Sequence, residues 1–245
     1  MRYYKLSPFL LILLFVLAAC GSNAGQTTTI SQAIVKAPTC QSTVSVSVAN
    51  PSATISSAPR HMDMGPHMKM TSYRPVTAGD VARVEAIAQN AHVCFDKYKD
   101  YHLALRDGFQ IFTPDVAQDI YHFANVRNFS EAQTTFDLAH PSALLYNKVG
   151  DGYQFVGVMY SAPPDATEDQ LNARIPLSVA PWHLHTNICL PAGDENKTLF
   201  NPNSLFGLAG TITTPAQCSK VGGTFFPQLF GWMVHIPLFG NVGIG

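Results

Sequence analysis

The sequence predicts an α+β chain, mainly β, in which one N-terminal helix precedes an antiparallel β sandwich or small barrel. Three observations carry this. From Val81 to Leu105 apolar residues recur at three- and four-residue steps, the stripe of a helix. Beyond Gly108 the runs FQIF, IYHFANV, ALLYNK, YQFVGVMYSA, PWHLHTNICL and FGWMVHIPLF are short, apolar and bounded by Gly, Pro, Asn or Asp. No regular strand–helix alternation and no Gly-rich phosphate loop points to a nucleotide-binding α/β fold. At 245 residues the chain can bury one sizeable core.

Residues 1–19 read as an export signal. Arg2 and Lys5 precede an apolar run from Pro8 to Ala19, too short to be a confident membrane span. LAAC at 17–20 resembles the bacterial lipobox, which makes Cys20 the expected site of lipidation and the first residue of the mature chain. Acyl chains such as palmitate would then tether the protein to membrane lipid without spanning the bilayer. The expected location is the cell envelope, at the periplasmic or outer face. An ordinary signal peptide cut nearby is the competing reading.

Residues 20–76 are rich in Ser, Thr, Ala and Gln, as in a solvated tether. Within them TVSVSVAN alternates with period two and suits an edge strand. A single folded domain is expected over 77–245, as a helix at 77–107 and a β domain at 109–245. Thr77 with Asp80 resembles a capping box, and Val81, Val84, Ala88, Ala91, Phe95, Tyr98, His102 and Leu105 form the buried stripe. His92 and His102 on this helix are expected to be hydrogen-bonded core histidines. Val149-Gly150-Asp151-Gly152 predicts a hairpin between ALLYNK and YQFVGVMY.

Charge narrows the function. Fifteen Lys+Arg stand against 16 Asp+Glu, which provides no electrostatic case for nucleic acid. No GxSxG nucleophile elbow is present. In an exported chain Cys40, Cys94, Cys189 and Cys218 form an even set, and two disulfides are expected. Three pairings are possible. Cys40–Cys94 with Cys189–Cys218 is preferred, and Cys189 as a thiolate metal ligand is the competing reading.

The histidines are the main functional signal. On a strand, residues i and i+2 share a face. In PWHLHTNIC that rule sends His183 and His185 one way, with Trp182, Leu184 and Ile188 the other. In GWMVHIP it sets Met233 and His235 against Trp232, Val234 and Ile236, and in IYHFAN it turns His122 away from Tyr121 and Phe123. Three β segments therefore each present imidazole opposite their bulky apolar residues. Neutral imidazoles converging from several strands can fill a transition-metal shell, so His122, His183, His185 and His235 are the expected ligands. His140, before Pro141 in a loop, is left out of this set.

Two resemblances attach to these residues. The motifs RDGF, YHFAN, ALLYNKVGDGYQFVGVMY, PWHLHTNIC, GGTFFP and GWMVHIP make the span from about Tyr98 to the C-terminus resemble a family of uncharacterised exported bacterial proteins, which implies no particular activity. His183-x-His185 with a later His235 is also similar to the cupin metal motif. Asn187 or Cys189 stands where that motif places its glutamate, and the likeness concerns architecture.

HMDMGPHMKM, residues 61–70, holds four of the seven methionines. Thioethers suit Cu(I), so His61, Met62, Met64, His67, Met68 and Met70 read as a second copper-binding tract, expected to act largely independently of the folded site. The functional expectation is an envelope-tethered metal-binding lipoprotein that sequesters or transfers an ion. Copper is favoured, with zinc or iron as alternatives. The main alternative is a metal-dependent enzyme, a cupin-like oxidoreductase or hydrolase with an all-His shell, for which Asp119 or Asp137 stands nearest His122 in sequence. A tethered interaction module is the third class, and no protein partner can be named.

Overall fold

The computed structural model describes residues 38–45, 65–193 and 198–239. It is an α+β structure built on one seven-stranded antiparallel sheet: β1 (Met68–Met70), β2 (Gln110–Ile111), β3 (Tyr121–Ala124), β4 (Ala143–Val149), β5 (Gly152–Ala162), β6 (His183–Pro191) and β7 (Gly223–Pro237). The spatial order is β1-β6-β7-β5-β4-β3-β2. Among the described residues there is no second sheet, and β1 and β2 end the sheet without closing it. It is a single open sheet and not a sandwich of two.

The helical segment begins where the sequence places it. Helix α1 (Ala78–Phe95) has Thr77 as N-cap, and the Thr77 backbone N–H donates to the Asp80 carboxylate at 2.9 Å. The expected single helix to residue 107 is broken, however. A 3-10 turn (Asp96–Lys99) leads into α2 (Tyr101–Arg106), because Asp100 adopts an extended backbone and caps the new helix by accepting from the His102 N–H. The break rotates His102 off the buried stripe. Its side chain is 71% exposed, pairing with Asp100 and stacking on Tyr101, and His92 likewise pairs with Asp96 in solvent. Neither is a core histidine.

The sequence reading also missed α3 (Val126–Glu131), α4 (Glu168–Arg174) and α5 (Pro215–Lys220). Each is six or seven residues long, too short for a periodic stripe, and each is announced by its cap residue, Asn125, Thr167 or Thr214. Arg83 donates to the carbonyls of Asn172, Ala173 and Arg174, which satisfies the open end of α4.

Helices α1, α2 and α4 cover one face of the sheet. Ile87, Ala91, Phe95, Tyr98, Ala104 and Leu171 pack with Phe123, Leu144, Tyr146, Val158, Trp182, Leu184, Trp232 and Val234 in the main core. Two buried tyrosines bind the layers together: Tyr146 Oη donates to the Tyr98 carbonyl and Tyr160 Oη to the Leu138 carbonyl, both at 2.8 Å. A second cluster, Ile120, Ala143, Leu145, Val156, Met159 and Met233, lies on the opposite face.

Parts of the expected tether belong to the folded body. Cys40 bonds to Cys94, Gln41 exchanges two hydrogen bonds with Asn90, and Val44 packs on the main core. Residues 43–45 of TVSVSVAN are not strand and 46–50 lie outside the described residues; among the described residues β1 is the edge strand beside β6. The docking is possible because the Cys40–Cys94 bridge holds this segment against α1. The second bridge, Cys189–Cys218, joins β6 to α5. Both expected pairings are thus present, and Cys189 is no metal ligand. The two disulfides indicate an oxidising, non-cytoplasmic location. Among the described residues no helix is long and apolar enough to cross a membrane. The signal segment 1–19, the lipidation candidate Cys20, and His61, Met62 and Met64 lie outside the described residues.

Candidate functional site

Backbone register decides which histidines meet. His235 on β7 lies opposite Met159 on β5, His183 on β6 opposite Met233 on β7, and His122 on β3 opposite Leu145 on β4. Directly opposed residues in an antiparallel pair point the same way. All four expected histidines therefore share the face that carries Leu145, Met159 and Met233, away from the helices.

A shared face does not by itself bring His122 to His235, since β4 and β5 separate their strands. In a flat sheet three inter-strand steps span about 14 Å. Here the Nε2 atoms of His122 and His235 are 3.3 Å apart and the ring centroids 5.2 Å. The sheet must curl strongly, with the histidine face concave. One cause is visible in β7. Two residues along β6, His183 to His185, correspond to four along β7, Met233 to Leu229. The extra pair is a bulge in which Phe230 (φ 70°) and Gly231 (φ 86°) are left-handed, and bulges bend and twist the strand that carries them.

The rings form a chain of contacts. His183 meets His235 with centroids 5.0 Å apart and meets His185 at 5.5 Å. His183 is 3% exposed, and the other three are half-buried, their rings edging the enclosed concave space. Burial, the dominant influence, pushes His122 and His185 down to about 4, His183 to about 3, and His235 well below its ordinary value, with mutual repulsion among the rings adding to the shifts. Among the described residues no carboxylate acts on any of the four. They are neutral imidazoles at neutral pH, the form that binds metal. Nδ1 of His235 is buried without a hydrogen-bond partner, as are the indole N–H groups of Trp182 and Trp232 in the main core.

The four rings are close without forming a closed shell: no three of their nitrogens lie within 4.8 Å of one another. Among the described residues one group meets that spacing, Glu131, Asp137 and His140. It is a surface cluster already paired internally, with His140 Nδ1 3.1 Å from Glu131 and 3.5 Å from Asp137. The sequence left His140 aside because Glu131 and Asp137 approach it only through the turn after α3. The same group removes Asp137 from consideration as a partner of His122.

The Met/His tract divides. His67 is 3% exposed, with Nε2 2.8 Å from the Gly210 carbonyl and Nδ1 3.4 Å from that of Thr186, so its ring is committed to the backbone of β6 and of a neighbouring loop. Met68 and Met70 belong to β1, opposite His185 and His183. The expectation of a solvated, independent tract therefore fails for these three residues. Period two gave no warning, because a three-residue strand is too short to display it. Met159 was equally overlooked, although its alternation with Val158 and Tyr160 is readable.

Set against family models, curated proteins and solved structures, the chain finds no match, and its functional reading rests on the geometry of this histidine face.

Proposed function

We propose that this chain is an envelope-tethered metal-binding lipoprotein that sequesters or transfers a transition metal, copper in the first instance, at His122, His183, His185 and His235. The observation that carries the reading is the His122–His235 pair. Its 3.3 Å Nε2 separation matches the edge of a tetrahedron with metal–nitrogen bonds near 2.0–2.1 Å, about 3.3–3.4 Å. His183, in contact with His235, supplies the third nitrogen by rotation of its ring, and His185 borders the set. The enzyme reading is second. A hydrolytic site needs a general base, and among the described residues no carboxylate acts on these rings.

The test is metal analysis of protein purified without a His tag, loaded separately with copper and zinc and desalted. Stoichiometric metal is expected in the parent and loss of most of it after His122→Ala, His183→Ala or His235→Ala, because ligands of one site act together. No retained metal, or three small additive losses, would refute the reading. The tether is tested separately by intact-mass spectrometry: an acylated N-terminus at Cys20 is expected, and an unmodified N-terminus downstream of it would refute lipidation.

A further inference from the structure

We propose that the ion this site is built for is Cu(I), and that thioethers from among Met68, Met70, Met159 and Met233 complete it as ligands; this rests on the metal-holding reading above. Register carries the argument. Met68 is opposite His185, Met70 opposite His183, Met233 opposite His183 from its other side, and Met159 opposite His235. Directly opposed side chains leave their strands about 4.5–5.5 Å apart on one face. His183 is therefore flanked by two methionines, and His185 and His235 by one each. Four of the chain's seven methionines stand on the face that holds its four clustered histidines.

The alternation in β1 sharpens this. Lys69, between the two methionines, points to the other face, where its Nζ lies 5.5 Å from the Trp232 ring. Met159 and Met233 are 7% and 5% exposed, whereas Met68 and Met70 are half-buried at the open edge of the sheet. Two thioethers thus lie deep and two at the margin.

Two independent physical arguments select the ion. Thioethers are soft and uncharged, suiting Cu(I), while Zn(II) and Cu(II) are better served by nitrogen, oxygen or thiolate. Imidazole and thioether are also both uncharged as ligands, so this set brings no negative charge to the ion. The cost of burying an ion by Born solvation rises with the square of its charge, so an uncharged enclosure favours a monovalent over a divalent cation. Binding exchanges the ion's previous ligands for imidazole and thioether, and copper enters and leaves as Cu(I) with no electron transferred. Thioethers also suit an oxidising compartment, where they form no disulfides.

The experiment uses the full chain without a His tag. Cu(I) affinity is measured anaerobically by competition with bicinchoninic acid, and Zn(II) affinity with a chromophoric chelator, for the parent, Met68→Leu/Met70→Leu and Met159→Leu/Met233→Leu. Leucine conserves volume, and thermal melting checks folding. At least one double variant should bind Cu(I) about tenfold or more weaker with Zn(II) affinity unchanged. X-ray absorption of the Cu(I)-loaded parent should show sulfur in the first shell, a readout independent of whether any variant folds. Unchanged Cu(I) affinity in both variants, or a shell of nitrogen alone, would overturn the thioether assignment while the metal reading stands. Equal losses for Cu(I) and Zn(II) would reduce the methionines to scaffold and overturn it as well. A parent that holds neither ion removes the underlying reading, and this proposal with it.

Discussion

His122 on β3 and His235 on β7 bring their Nε2 atoms to 3.3 Å across a sheet in which two whole strands lie between them. The contact depends on curvature, and it makes His235 the hub, since that ring also meets His183. Single replacement of His235 by Ala is expected to reduce metal affinity most. His185→Ala, which removes the ring bordering the set, should reduce it less, and His140→Ala should leave it unchanged. Equilibrium dialysis ranks the three, and an effect of His140 equal to that of His235 would move the site to the Glu131 cluster.

Acid should destabilise the metal-free protein in a defined window. Burial holds His122 and His185 near 4 and His183 near 3 in the fold, against about 6.5 in the unfolded chain. Between those values the unfolded state binds more protons. Their contribution to stability is thus complete above about pH 6.5 and is lost as pH falls through about 4. The melting temperature should decline steadily from pH 7 to 4.5, and His183→Gln should flatten the slope. A parent with a level profile would mean the rings are not buried as neutral imidazoles.

Metal affinity of the folded protein should, for the same reason, be nearly flat from pH 7.5 to 5. The ligands are already deprotonated, and little proton release accompanies binding. Ligands titrating near their ordinary value would instead make affinity fall steeply below pH 6.5. Competition titrations at several pH values separate the two behaviours.

Both disulfides should be oxidised in the purified protein, with no thiol from Cys40, Cys94, Cys189 or Cys218 detected under denaturing, non-reducing conditions. Cys189–Cys218 closes a loop with a sequence separation of 29, and replacing both with Ser should cost about 3–4 kcal/mol by chain entropy. Denaturant melts of the double variant measure this, and an unchanged midpoint would show that the loop is held without the bridge.

Gly231 offers a test of the curl itself. Its φ of 86° is left-handed, and an added Cβ would lie 2.6 Å from the Ala162 carbonyl oxygen. Gly231→Ala should cost about 1–3 kcal/mol and weaken metal binding together with stability. Lost stability with full metal affinity would show that the bulge does not govern how the histidines converge.

Much of the architecture was legible because it depends on short-range rules. Thr77 and Asp80 announce the start of α1, and the Gly150–Asp151 turn lies at the hairpin between Val149 and Gly152. Alternation puts Trp182, Leu184, Trp232 and Val234 in the main core and turns His183 and His235 away from it. Asp100 shows the limit of pattern reading. The apolar stripe runs through it without interruption, and one extended residue still ends the helix and returns His102 to solvent.

What the sequence by itself determined is the face on which each histidine stands, since side-chain parity is a property of the local backbone. It also pointed to the cysteine pairs. Only the tertiary structure decided that His122 reaches His235, that β1 brings Met68 and Met70 beside His185 and His183, and that Glu131, Asp137 and His140 cluster elsewhere. The physical reason is that strand order, register and curvature arise from non-local pairing and from the bulge at Phe230–Gly231, where one strand carries two residues more than its neighbour.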